Sequence, residues 1–211
     1  MTQLLRGTRS LLSPAARLVL RPGLWVLAVV GVLAMPDPVT AAVATFHRFE
    51  AVATANYTVT RQCPDGSSAQ MRITVLGGHE EESESGVTTL DSDFVTVLLR
   101  GFDCDGAFVN DRGSGPAEFD SSPSLQTASL EGTLTTRDGR SVAVDMTWDG
   151  TGAMETTTNT TTFPGFTGHF TGRQRDAVAT GTIVVDGETL VTGSTTNAEI
   201  ETLEDKNISH P

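Results

Sequence analysis

Ala51-Val-Ala-Thr-Ala-Asn-Tyr-Thr-Val-Thr60 alternates apolar and polar residues along nearly its whole length. The odd positions are alanine, tyrosine or valine, and the even positions after Val52 are threonine or asparagine. Apolar residues at every second position predict a strand with one buried face and one solvated face. Threonine and valine favour such a strand because their branched Cβ suits a pleated surface. The stretch therefore predicts a half-buried antiparallel strand.

The same period of two returns further along the chain. In the segments 69–75 and 142–148 the alternating apolar residues are Ala69, Met71, Ile73, Val75, Val142, Val144, Met146 and Trp148. No segment after residue 41 keeps a helical period, so we expect little or no helix there. The apolar runs predict eight strands, at about 46–61, 68–76, 94–102, 107–110, 126–136, 141–148, 170–185 and 188–203.

Asp-Gly pairs mark turns between these strands. Such a pair favours a two-residue type I′ hairpin, because glycine and aspartate both tolerate positive φ. Four pairs lie between apolar-patterned runs, namely Asp65-Gly66, Asp105-Gly106, Asp138-Gly139 and Asp186-Gly187. A fifth pair, Asp149-Gly150, does not, and we interpret it as the start of a longer loop.

Strands paired in chain order would form an up-and-down meander with the tight turns at one end. The long connections, about 77–93, 111–125 and 149–169, would then collect at the other end, the long-loop end. Eight strands can close into a small barrel and so remove their free edges. A two-sheet sandwich is the alternative. We predict one all-β domain over 42–203, a barrel in preference to a sandwich, and a polar tail over 204–211.

The two cysteines of the chain, Cys63 and Cys104, each lie beside a predicted tight turn. In a meander both turns lie at the same end of the molecule, so the two thiols would be within reach of one another. A single even pair of cysteines in an exported protein usually forms a disulfide. We therefore predict a Cys63–Cys104 disulfide rather than a redox or metal site.

The first 41 residues have the pattern of a secretory signal peptide. Four arginines precede an uncharged apolar run from Leu24 to Ala34, and small residues follow, which favours cleavage after Ala41 or Ala42. The run has about 11 residues, whereas a membrane-spanning helix needs about 20. The chain is therefore expected to be secreted and extracellular, with no membrane insertion after cleavage. A retained anchor is the alternative.

Charge excludes some classes of partner. The formal net charge is −12, and removal of residues 1–41 takes away four arginines and one aspartate and leaves −15. A strongly acidic surface repels nucleic-acid phosphates and anionic lipid headgroups. We expect neither a nucleic-acid partner nor a membrane partner, and the charge is typical of a soluble extracellular protein.

Candidate binding residues cluster after the sixth predicted strand. The threonine-rich stretch 156–162 is followed by aromatic residues, and the candidates for contact with a ligand are Trp148, Phe163, Phe166, His169 and Phe170. Aromatic rings next to carboxylates suit an amphipathic or cationic partner. The alternative is that the two phenylalanines of the loop cap the barrel. We expect any small-molecule or protein partner at the long-loop end.

The sequence carries no recognised catalytic motif, phosphate-binding loop or dinucleotide-binding loop. No cofactor or metal is expected. The acidic run from Glu80 to Asp93 is rich in oxygen ligands and leaves calcium binding open, with a solvated charge run as the alternative. Asn56, Asn159 and Asn207 begin glycosylation sequons, which matter only in a host that glycosylates its secreted proteins.

Two segments resemble uncharacterised secreted proteins of high-GC Gram-positive bacteria. They are Arg173–Ile183 and Val142–Gly152, the latter of which contains Met-Thr-Trp-Asp-Gly-Thr-Gly. The resemblance implies an extracellular β domain, and it implies no activity and no site residues. Three functional classes stay open: a secreted binding module, a structural or cell-envelope protein without a ligand, and an enzyme with an unrecognised site.

Overall fold

The computed structural model describes residues 44–209, and this part of the chain is all-β. Every neighbouring pair of strands is antiparallel. The nine strands are β1 (Thr45–Gln62), β2 (Ser68–Glu84), β3 (Val87–Phe102), β4 (Phe108–Ser121), β5 (Thr127–Thr135), β6 (Ser141–Gly150), β7 (Glu155–Phe163), β8 (Phe166–Val185) and β9 (Glu188–Ser209).

Eight of these strands form a closed barrel. The sheet runs β6-β5-β4-β3-β2-β1-β9-β8, and pairing of β6 with β8 closes it. Consecutive strands pair in chain order, as a meander requires, apart from the insertion of β7 between β6 and β8. The predicted barrel of eight strands is confirmed, and the sandwich alternative is wrong.

β7 is the extra strand, and it prolongs the line of β6. The long strand β8 pairs with β6 through residues 177–185 and with β7 through residues 166–174. β6 and β7 therefore follow one path along β8, interrupted by residues 151–154.

Beyond one end of the barrel, which we call the mouth, six strand segments continue the sheet on one side only. We call these six segments the wall. The wall comprises 45–51 of β1, 79–84 of β2, 87–93 of β3, β7, 166–174 of β8 and 201–209 of β9. β4 and β5 do not take part, because they are joined by a turn over residues 122–126 at the level of the barrel mouth. The mouth is thus high on one side and low on the other.

The predicted long connections are wrong in extent. Most of the segments 77–93, 111–125 and 149–169 belong to strands, and the connection between β2 and β3 is the two-residue turn Ser85-Gly86, with φ of 50° and 81°. The predicted tail over 204–211 is also wrong in part, since β9 continues to Ser209. What was expected to be a loop-bearing end is a sheet extension.

The Asp-Gly turns collect at the opposite end, as predicted, but only one has the predicted geometry. Asp186 and Gly187 both have positive φ, as a type I′ turn requires. In the other three turns only the glycine does, and the loops are longer, as in the hydrogen bond from Cys63 N to Ser67 O. The Cys63–Cys104 disulfide joins two of these turns across 41 residues of sequence, as predicted.

Side chains fill the body of the barrel. Ala53, Ala55, Ile73 and Val75 are fully buried, which confirms the alternation read from β1 and β2. Trp148 is also fully buried, and its indole N–H crosses the interior to donate to the carbonyl of Thr54 at 2.8 Å.

Small residues opposite large ones allow this close packing. A Cβ on Gly77 of β2 would lie 2.7 Å from the methyl groups of Leu130 on β5, so glycine leaves the space that the leucine fills. Alternation of small and large inward residues is how small barrels are filled.

The predicted signal peptide and its cleavage after Ala41 or Ala42 lie outside the described residues. Between residues 44 and 209 no helix is long and apolar enough to cross a membrane.

Candidate functional site at the barrel mouth

A cup of about 640 Å³ lies at the mouth of the barrel, between the wall and the β4–β5 turn. One side is formed by inward residues of the wall, and the other by the end of β4 and the turn that follows. Its lining combines aromatic, apolar and charged groups: Phe49, Ala51, His79, Asp91, Asp93, Phe119, Asp120, Ser121, Ser122, Pro123, Arg173 and Thr202. A ligand site in proteins commonly has this mixture in a concave surface of this size.

A histidine–aspartate pair lies at the rim of the cup. His79 and Asp93 are cross-strand partners on β2 and β3, which brings His79 Nδ1 to 2.8 Å from Asp93 Oδ1. The second oxygen of Asp93 accepts a hydrogen bond from the backbone N–H of Phe119 at 3.1 Å. Asp93 thereby links the wall to the low side of the mouth. The Phe49 ring lies 6.4 Å from the imidazole, centroid to centroid.

Three histidines share the inner face of the wall, because strand register places them at equivalent positions. His47 on β1 and His169 on β8 are both cross-strand partners of Lys206 on β9, two rows above His79. His47 Nε2 is 3.1 Å from Glu204 Oε1, and Lys206 Nζ is 2.7 Å from the same oxygen. The pKa of Glu204 lies below its usual value, chiefly because of the hydrogen bond from Lys206 and to a smaller extent because of the hydrogen bond with His47. Partial burial opposes this shift.

Two arginines of β8 point toward the interior at the mouth. Arg173 lines the cup, and Arg175 is the next inward residue of the strand. Gly150 makes room for Arg175, since a Cβ there would lie 2.6 Å from the Arg175 stem and 2.2 Å from the Leu125 carbonyl oxygen. Nε of Arg175 is buried without a hydrogen-bond partner in the described part of the chain.

Neither of these arginines has a carboxylate partner among the residues that the structure describes. The arginine ion pairs within residues 44–209 are formed by Arg48, Arg61 and Arg140. In the sequence Arg173 and Arg175 flank Gln174 within the predicted strand 170–185, so side-chain alternation puts both on one face, but it does not tell that this face turns inward. The cup therefore contains unpaired positive charge beside its aspartates.

The acidic run after His79 divides between the two faces of the wall. Glu80, Glu82 and Glu84 lie on the outer face, whereas Glu81, Asp91 and Asp93 lie on the inner face, because side chains alternate along a strand. On the outer face Arg48 contacts Glu80 at 2.6 Å, Glu50 at 3.6 Å and Glu82 at 3.7 Å. The carboxylates are thus not gathered in one loop. In the part of the chain that the structure describes, no three His, Cys, Asp or Glu side chains could together hold a metal ion.

The five candidate residues from sequence lie in three places. Trp148 is in the core, and the inner face of the wall carries His169, whose Nδ1 is 3.2 Å from Thr160 Oγ1. Phe163, Phe166 and Phe170 lie on the outer face, with Phe163 61% exposed at the β7–β8 turn. The structure does not bring them together, and none of the five lines the cup.

A smaller opening of about 150 Å³ lies at the disulfide end of the barrel. The Arg61–Glu188 ion pair, at 3.0 Å, borders it. Beside it Phe102 and Phe108 pack edge to face, 5.4 Å apart, and each is more than half exposed.

Comparison with known proteins adds little to this geometry. No protein-family model matches the chain. No curated protein matches it either. Among solved structures, a Nitrosomonas europaea protein provisionally named AttH is similar at 14% identity and a TM-score of 0.25, over 78% of this chain and 52% of that chain. The chain thus spans about half the length of that protein, and a similarity at this level carries no argument about function.

Proposed function

We propose that the protein is a secreted binding module whose ligand, a small amphipathic molecule, occupies the cup at the barrel mouth. The observation that carries the proposal is the cup itself, an open concavity of about 640 Å³. Aromatic and charged groups occur both on its wall side and on its β4–β5 side. Because side chains fill the barrel below it, the ligand is held at the mouth and does not enter the barrel.

The lining defines what such a ligand looks like. Phe49, Ala51 and Phe119 offer apolar surface, on which the hydrophobic part of a ligand would be buried. The His79–Asp93 pair and the Arg173 guanidinium offer hydrogen bonds and charge to a polar group. A molecule with one apolar part and one polar end uses both.

Several features support an extracellular location. The disulfide is consistent with an oxidising compartment, since cytosolic proteins rarely retain one. The amino-terminal sequence pattern and the net charge of −12 agree with export of a soluble protein.

A second candidate function is a structural or cell-envelope role without a ligand. The side-chain-filled barrel favours it, because ligand carriers of this architecture commonly enclose their ligand inside the barrel. The two candidates differ in whether the cup binds anything, which a titration decides.

The test is a titration of the purified protein with the fluorescent amphipath 1-anilinonaphthalene-8-sulfonate, with Phe49→Ala and Arg173→Ala as variants. We expect one dye per chain, and an affinity at least about tenfold lower in each variant, equivalent to about 1.4 kcal/mol. Native mass spectrometry of protein recovered from culture medium would identify a co-purified ligand.

The matched control is Phe102→Ala with Phe108→Ala, which removes the exposed aromatic pair at the other end of the barrel. Loss of dye binding in this control but not in the cup variants would place the site at the disulfide end. Absence of dye binding by the unmodified protein would favour the structural role.

A further inference from the structure

Two strand edges are left unpaired above the barrel mouth. Residues 87–93 of β3 pair only with β2, and β7 pairs only with β8, within the described residues. Both edges belong to the wall and border the open side of the cup. Each therefore presents backbone N–H and C=O groups that no strand of residues 44–209 uses.

The gap between these edges has the width of two strands. The β3–β4 ladder ends at the pair Phe94–Pro116, where proline supplies no N–H for a further bond. β4 and β5 are connected at the level of the mouth, so eight strands surround the barrel but six form the wall. Neighbouring strands are about 4.8 Å apart, which leaves room for one or two extended segments.

The two edges differ in how they are protected. Natural edge strands carry charge, proline or a bulge that discourages pairing with another chain. The β3 edge has Asp91 and Asp93, and its ladder with β2 is irregular between Glu82 and Ser83. The β7 edge has none of these between Glu155 and Phe163, and its sequence there is Thr-Thr-Thr-Asn-Thr-Thr-Thr. All nine residues of β7 are exposed, and threonine is a strong β-former.

We propose that the gap receives an extended peptide segment of a partner protein, which adds to the wall as a strand beside β7. Backbone hydrogen bonds to β7 supply affinity, and alternate side chains of the peptide turn into the cup and supply specificity. In the lining of the cup the carboxylates of Asp91, Asp93 and Asp120 outnumber the Arg173 guanidinium, so cationic and apolar residues at alternate positions suit it best. This proposal does not require a small-molecule ligand in the cup, since strand addition uses the backbone of β7.

A second copy of the chain fits the gap less well. Pairing through β7 of another molecule would bring its whole six-stranded wall into a space two strands wide. Sedimentation should therefore show a monomer. A dimer that is lost when proline replaces the residue of β7 whose amide faces the gap, Thr158 or Asn159, would overturn the choice of partner.

The test is selection of peptides from a random dodecapeptide library displayed on phage against the purified protein. We expect enriched peptides with lysine, arginine or apolar residues at every second position. Their synthetic forms should bind with Kd below about 100 µM, equivalent to about −5.5 kcal/mol, and slow hydrogen exchange in β7. Absence of binding at this level, or protection at the Phe102–Phe108 pair in place of β7, would overturn the proposal.

Proline substitutions at two neighbouring residues of β7 test its two edges separately. Consecutive amides of a strand point to opposite sides, so one of Thr158→Pro and Asn159→Pro removes an amide that faces the gap and the other removes an amide that faces β8. The variant that loses the gap-facing amide should bind the peptide at least about tenfold more weakly, with an unchanged melting temperature. The variant that loses the amide facing β8 should have a lower melting temperature. Full peptide binding by both folded variants would overturn the proposal.

Dye binding distinguishes this proposal from the function of the cup. The gap-facing proline variant should bind 1-anilinonaphthalene-8-sulfonate like the unmodified protein. Phe49→Ala should lose the dye and still protect β7 when a peptide is added. Loss of both ligands in the proline variant would mean that β7 acts only through the shape of the cup, which would overturn strand addition.

Discussion

Asp111 is the one charged residue that is buried within residues 44–209. Its carboxylate accepts hydrogen bonds from the Thr136 hydroxyl and from the N–H groups of Arg112, at 2.8 Å, and Asp138, at 3.2 Å, with Arg140 Nε 3.6 Å away. Burial raises the pKa of Asp111, but these hydrogen bonds together with the charge of Arg140 outweigh it and hold the pKa below its ordinary value. The network anchors β4 to the turn between β5 and β6.

Asp111→Asn should reduce the free energy of unfolding by about 2 kcal/mol at pH 7, because hydrogen bonds to a charged acceptor are lost. A lowered folded pKa stabilises the fold above the unfolded value of about 3.9, and this contribution disappears as pH falls through the folded pKa. The difference between Asp111→Asn and the unmodified protein should therefore shrink at pH 3, as measured by urea unfolding. Asp145→Asn, an exposed control on β6, should have little effect at either pH.

At the scale of strands, acidic side chains on the outer face of the wall repel one another and so lower the stability of the folded wall. Burial raises the pKa of Glu201 on β9, and the nearby carboxylates of Glu199 and Glu50 raise it further. A raised pKa means that the charged form costs free energy in the folded state, so stability is gained as pH falls through the folded pKa. The wall is thus held together against repulsion between neighbouring strands.

Glu201→Gln should accordingly raise the free energy of unfolding by about 0.2–1 kcal/mol at pH 7, the range for cross-strand charge pairs. The gain should vanish below about pH 4, where the glutamate of the unmodified protein is neutral. Thermal unfolding at the two pH values measures it. A gain that persists at low pH, or an equal gain from Glu131→Gln on the exposed face of β5, would contradict the assignment to a partly buried charge beside other carboxylates.

Period-two alternation predicted the strands of the barrel body, and the predicted strands 46–61, 170–185 and 188–203 reach into the wall. The wall segments of β2 and β3, and all of β7, were predicted as connections. The signal depends on one face being buried, as for Ile73 and Val75 of β2. In the wall both faces meet solvent, so Glu80–Glu84 and Thr156–Thr162 show no apolar alternation although they form strands. The hydrogen bond between His79 and Asp93, and the position of Arg173 in the same cup, depend on strand register, which the sequence does not specify at such positions.

At the scale of the whole molecule, the disulfide fastens the end opposite the cup. Cys63–Cys104 joins the β1–β2 turn to the β3–β4 turn and encloses a loop of 41 residues in sequence. A loop of this size should stabilise the fold by roughly 4 kcal/mol through restriction of the unfolded chain.

Cys63→Ser with Cys104→Ser should therefore lower the free energy of unfolding by about 2–4 kcal/mol, measured in urea. Dye binding at the cup should be unchanged in the folded double variant, since the disulfide lies at the other end of the barrel. Lost dye binding with unchanged stability would contradict this division of the molecule into a fastened end and a binding end.

Closure of the barrel depends on β9, the last strand of the described residues. β1 pairs with β9 from Thr45–Ile208 to Ala55–Ala198, so the first strand of the described chain waits for the last. Hairpins such as β2–β3 can form early, but this closing contact bridges most of the chain, and such contacts slow folding. A barrel that cannot close without β9 leaves the preceding strands as an open sheet until that strand has been synthesised. Passage through a translocation channel before folding would require this property.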